Sequence, residues 1–224
     1  SEKHPNEVHP FKDAIAIPFT TKYVDYLCAV MRESLTKTGI DGFMIDWVYN
    51  ASHLYTDKQY TWLDCEKEMY SELYGEAFPG DAAMTRDKID EFNRRALARC
   101  WERIHAAAKE ARPTCVIWLT CYDLQHPQLK DSRMLKEVDW LMNEHPDPEK
   151  LLSIKDAIGP NVKLIQCICG WGEQHNAQKI VEDPRFKDWG FYGFAKPDPA
   201  TTFPPEDGSG NAKNIEAIRA FYKR

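Results

Sequence analysis

The chain has 224 residues, 43% hydrophobic and 29% charged, a size that suits one large domain or two small ones. Lys+Arg number 29 against Asp+Glu 35, a formal net charge of −6 with the basic residues scattered. That pattern argues against an electrostatic nucleic-acid binder, because phosphate binding needs a concentrated basic face.

Ser1–Pro10 is polar and lacks the apolar core of a signal peptide, and no run reaches the roughly 18 apolar residues of a membrane span. The expectation is a chain that does not cross a bilayer, either cytoplasmic or exported with its leader already removed. Ala14–Phe19 is a short apolar stretch expected as a buried strand. Thr21–Thr38 follows as an amphipathic helix, with Val24, Leu27, Val30, Met31 and Leu35 at three-and-four spacing and Gly39 as its stop. Gly42–Tyr49 is apolar apart from Asp46, the composition of a parallel strand covered on both faces. A long excursion then includes a partly helical Tyr55–Leu73 and a long helix capped by Thr85 and ended by Pro113. Four more apolar runs are expected as strands: Cys115–Cys121, Asp139–Asn143, Lys163–Cys169 and Gly190–Ala195. Short helices are expected near Gln128–Glu137, Pro148–Ile158 and His175–Val181, and a last helix from about Asn211 to the end.

Strands alternating with helices define an α/β architecture with a parallel sheet. No glycine-rich dinucleotide turn follows any strand, which disfavours an open nucleotide-binding sheet. Six strands over residues 1–224 are instead expected to form a single, incomplete (β/α)8 TIM-barrel domain whose first two units are absent. Seven Cys show no metal-binding spacing and are expected as free, mostly buried thiols, which suits a reducing compartment.

In parallel α/β folds the active site lies at the carboxyl ends of the strands. Those positions hold Asp46, Trp47 and Asn50, then Tyr122, Asp123 and His126, then Asn143, Glu144 and His145, then Trp171 and Glu173, and finally Lys196. Carboxylates recur at consecutive strand ends, with Trp or His beside most of them. Asp46 stands out, since an ionisable group within an apolar strand is costly to bury without a partner or a purpose. The alternatives are ordinary ones: a structural aspartate at Asp46, helix caps at Asp123 and Glu173, core tryptophans and surface histidines.

The segment GIDGFMIDWVYN resembles the fourth barrel strand of retaining glycoside hydrolases, including alpha-L-fucosidase-like and alpha-glucosidase-like enzymes. WLTCYDLQHP, VDWLMNEHPDP and WGFYGFAKP are similar to the same broad group of bacterial glycosidases. The resemblance implies that Asp46 is the nucleophile and that Glu144, or else Asp123, is the acid/base. Two departures accompany it: the strand-six residue of that group is usually Asp, and the first two strands are missing. The pair Asn143-Glu144 also resembles another barrel clan, in which Glu173 would be the nucleophile.

Glycoside hydrolysis requires two carboxylates in different roles. Trp47, Tyr122, His145 and Trp171 would wall a carbohydrate substrate, with Asn50, His126, Asn143, Glu173 and Lys196 as further contacts and no cofactor. Two rivals stand beside this reading. One is a non-catalytic carbohydrate-binding or structural barrel. The other is a metal-dependent hydrolase or isomerase using Asp123, His126, Glu144 and His145, against which no His-X-His or His-Glu-X-X-His spacing occurs. An incomplete barrel would expose strand edges, so a homo-oligomer or a partner completing the barrel is a further expectation.

Overall fold

The computed structural model describes residues 9–11, 14–16, 22–46, 62–129, 131–169, 177–193 and 210–223. In chain order these form β1 (His9–Phe11), β2 (Ala14–Ala16), α1 (Tyr23–Lys37), β3 (Gly42–Asp46), α2 (Asp64–Tyr74) and α3 (Arg86–Ala111). There follow β4 (Val116–Cys121), α4 (Met134–Glu137), β5 (Trp140–Asn143), α5 (Glu149–Leu152), β6 (Lys163–Cys169), α6 (Ala177–Glu182), β7 (Gly190–Gly193) and α7 (Gly210–Tyr222). The chain divides into two compact units. One comprises Ser1–Phe43, Val48–Val116 and His126–Met134, the other Met44–Trp47, Ile117–Gln125 and Leu135–Arg224.

The first unit is built on helices. Val24, Cys28, Met31 and Leu35 recur on one face of α1 and are buried, and that helix packs on α3. The α3 helix starts where its sequence says it should: the Thr85 side chain accepts a hydrogen bond from the Lys88 N–H at 3.5 Å. Its far side meets α2, where Trp62, Tyr70, Met84, Phe92 and Ala96 form an aromatic-rich core. Phe92 has no exposed surface and lies 5.0 Å from Trp62, edge to face. Ion pairs Arg103–Asp25 and Arg32–Glu110 join α3 to α1 at the surface. Exposed pairs of this kind are worth about 0–1 kcal/mol, so apolar burial holds the helices together.

The parallel sheet runs β3-β4-β5-β6-β7. From β4 to β7 each strand pairs in parallel with the next, and one register row reads Cys121, Asn143, Gln166, Phe191. One face carries Ile117, Leu119, Cys121, Leu141, Asn143 and Gln166, all with 0% exposure. The other carries Met142, Ile165 and Cys167 with the partly buried Trp118, Trp140 and Tyr192. Trp118 of β4 meets Trp140 at 5.8 Å and Tyr192 of β7 at 5.4 Å between ring centroids. Three strand steps span roughly 14 Å in a flat sheet. The Trp118–Tyr192 contact is therefore made because the sheet curls towards this face.

Three expectations need correction. Ala14–Ala16 does not join the parallel sheet; it pairs antiparallel with His9–Phe11 in a separate two-stranded ribbon, leaving five parallel strands among the described residues. A three-residue strand finds a local partner at far lower loop-closure cost than a distant parallel one. β3 is not covered on both faces either. It is an edge strand among the described residues, and Met44 is 54% exposed. The Gln128–Glu137 helix shrinks to four residues, with Asp131 before it in the left-handed region at φ 58°, and Pro148–Ile158 divides into the four-residue α5 and a 3-10 turn at Lys155–Ala157. Among the described residues no helix is long and apolar enough to cross a membrane.

Truncating Phe92 to Ala should cost about 3–5 kcal/mol through the cavity it leaves. Tyr26→Ala, at a residue 64% exposed, should stay within about 0.5 kcal/mol. Urea unfolding of both variants checks the contrast.

Candidate functional site

The β3–β4 junction sets the level of Asp46. The Val116 N–H donates to the Asp41 carbonyl at 2.9 Å, and a Cβ on Gly42 would lie 2.0 Å from the Val116 oxygen. Gly42 therefore sits against Val116 at a distance that no other residue allows. Counting along parallel strands from that pairing brings Met44 level with Trp118 and Asp46 level with Thr120. Asp46 thus belongs to the same face as the Trp118, Trp140 and Tyr192 rings.

Two strands along, β5 ends at Asn143, whose side chain lies on the fully buried face. The ladder continues one step further, with the Glu144 N–H donating to the Cys121 carbonyl at 2.9 Å. Alternation then directs Glu144 to the face that carries Asp46. Asp46 ends β3 at the surface, yet water is partly displaced from its carboxyl. That loss, and secondarily the negative charge of Glu144, raises its pKa above the ordinary aspartate value. The two carboxylates therefore lie towards one face at the carboxyl end of the sheet.

A buried amide pair shapes the loop that carries Glu144. Asn143 Nδ2 donates to Gln166 Oε1 at 2.8 Å and to the carbonyls of His145 and Asp147, both at 3.0 Å. Asn143 Oδ1 accepts from the His145 N–H at 3.1 Å. Gln166 Nε2 in turn donates to the His145 carbonyl at 2.8 Å and to the Cys167 carbonyl at 2.7 Å. The His145 ring accepts the Asp147 N–H on Nδ1 at 3.1 Å and lies 5.0 Å from the Tyr122 ring. Tyr122 is 46% exposed, so this aromatic edge faces solvent.

The remaining predicted residues fall differently. Asp123 is exposed, and its Oδ1 accepts the Gln125 N–H at 3.1 Å. That bond is an Asx turn. His126 groups with the first unit, and its Nδ1 accepts the Gln128 N–H at 3.2 Å. Asn143, expected as a substrate contact, has no exposed surface, and its side chain is used inside the loop. Trp47, Asn50, Trp171, Glu173 and Lys196 lie outside the described residues. Among the described residues no group of three or more His, Cys, Asp or Glu side chains gathers as a metal site. Gln166 escaped the sequence reading because it sits inside the apolar run LIQCIC. Its one signal was its type, an amide where every neighbour is apolar or a thiol. Thr120 escaped too. It is 1% exposed, and its hydroxyl finds no hydrogen-bond partner among the described residues.

No protein-family model matches the chain, and no curated protein matches it. What the site can do rests on its own geometry.

A carboxyl whose folded pKa is raised favours folding most below its unfolded value and loses that advantage as pH rises through the folded value. Asp46→Asn should therefore raise the melting temperature relative to the parent at pH 7. The difference should shrink towards about pH 4, where an unfolded aspartate also protonates. Thermal melts of both proteins across that window provide the check.

Proposed function

We propose that the protein is a glycoside hydrolase in which Asp46 attacks the anomeric carbon and Glu144 protonates the departing oxygen. What supports this reading is the strand register, which turns Asp46 and Glu144 to one face at the carboxyl end of a parallel sheet. Two coupled carboxylates at that place are what a two-step displacement at a sugar carbon requires. The resemblance of GIDGFMIDWVYN to the nucleophile strand of retaining glycosidases assigns the same roles. The curl of β4 to β7, which lets Trp118 reach Tyr192, supports reading the five parallel strands as part of a (β/α)8-type barrel.

The chemistry divides between the two groups. Glu144 gives its proton to the glycosidic oxygen as the bond breaks, and Asp46 bonds to the anomeric carbon. Water then attacks that carbon and passes a proton back to Glu144, releasing the sugar with its configuration retained. The half-exposed Tyr122 ring beside His145 supplies an apolar edge for a sugar ring to stack on. Asp46 must be ionised to attack. Protonation of Glu144 removes only the smaller, coulombic part of the pressure that raises the Asp46 pKa; the larger part, from displaced water, remains.

On a panel of aryl glycosides, Asp46→Asn should lose about 10²–10⁴-fold in kcat/KM with every leaving group. Glu144→Gln should lose as much on poor leaving groups but far less on dinitrophenyl glycosides, which depart without protonation. Proton NMR of the first-formed product should show retention. Equal losses for Glu144→Gln across leaving groups, or no turnover by the parent on any glycoside, would remove the assignment and leave a carbohydrate-binding barrel as the better reading.

A further inference from the structure

Asn143 and Gln166 are both fully buried and lie side by side in the register of β5 and β6. Replacing both partners of a buried hydrogen-bonded pair by apolar groups of the same shape is close to neutral, so an apolar pair would serve the fold about as well. These two amides spend their hydrogen bonds on one short segment. Between them they hold the His145 N–H, the His145 carbonyl and the Asp147 carbonyl.

Holding that segment has a chemical result at the ring of His145. The Asp147 N–H is a donor that cannot become an acceptor, and it points at His145 Nδ1 at 3.1 Å. Nδ1 must therefore carry its lone pair, and the proton of the neutral ring lies on Nε2. His145 is half-buried and follows Glu144 directly, and among the described residues Nε2 has no hydrogen-bond partner.

We propose that Asn143 and Gln166 are a positioning pair that fixes His145 as an Nε2–H hydrogen-bond donor, aimed at a neutral acceptor oxygen of the substrate beside Glu144. A sugar hydroxyl or ring oxygen is such an acceptor. Neither amide touches substrate; both act through His145 and through the backbone that carries Glu144. The substrate half of the statement rests on the glycosidase reading, whereas the fixed tautomer does not.

The test uses the full chain labelled with ¹⁵N-histidine and long-range proton–nitrogen correlation spectra. The chain has seven His, and the His145 signals are those lost in His145→Gln. The parent should show one protonated nitrogen, Nε2, and a bare Nδ1. Gln166→Met keeps the side-chain volume and removes both kinds of bond. It should mix the two tautomers and lower kcat on the order of 10²-fold, as expected for a misplaced catalytic loop, with KM changed less than about threefold.

Asn143→Leu/Gln166→Met removes both partners together, a change that is near neutral for stability when shapes match. It should keep the parent's melting temperature within a few degrees yet show the same loss of tautomer and turnover. If that double variant fails to fold, the Gln166→Met spectrum decides. A parent His145 protonated on Nδ1, or variants that keep a single Nε2–H tautomer and the parent kcat, would overturn the proposal. A parent with the fixed tautomer and no glycosidase activity overturns the hydrolase reading alone and leaves the pair as positioners of a binding histidine.

Discussion

A buried amide left unsatisfied is costly, and meeting that demand at Asn143 organises the carboxyl end of the sheet. Its Nδ2 and Oδ1 are committed to Gln166 and to the backbone of residues 145 and 147. With Asn143 turned inward, the next residue must turn outward, and so Glu144 meets the face on which Asp46 lies. The direction of one side chain thus decides which surface receives the second carboxylate. The parallel register of β4, β5 and β6 supplies the frame, and the close approach of Gly42 to Val116 sets Asp46 against it.

The arrangement works against stability in one respect. Two carboxylates near each other, one with part of its water displaced, raise the free energy of the folded state at neutral pH. The apolar face, with Ile117, Leu119 and Leu141 wholly buried, would be equally well packed if Asp46 were an asparagine. A carboxyl held above its ordinary pKa at a strand end is the feature on which the proposed function rests.

Much of this was legible in the residues. The runs around Phe43–Ile45, Ile117–Cys121, Leu141–Met142 and Leu164–Ile168 announced themselves as strands because strands in parallel sheets are continuously apolar. Thr85 announced the α3 helix because a hydroxyl there satisfies an N–H with no partner in the first turn. Asp46 was legible as an ionisable group in apolar company. Asn143 was visible too, but its direction was not, since inward and outward differ by a single register step and register is a property of pairs of strands. Gln166 was hidden for the same reason. The short strand at Ala14–Ala16 carries the apolar signature of a core strand and lacks the length to act as one, so a local ribbon claims it.

The central claim is that Glu144 acts electrostatically on Asp46, and a carboxyl-carbon NMR titration of Asp46 measures it directly. In the parent, Asp46 should titrate above the ordinary aspartate value of about 3.9. In Glu144→Gln, with the repelling charge removed, it should titrate lower while remaining above that value, because burial is the larger cause. An Asp46 curve that is the same in both proteins would contradict the account, because the two carboxylates would then not share a site.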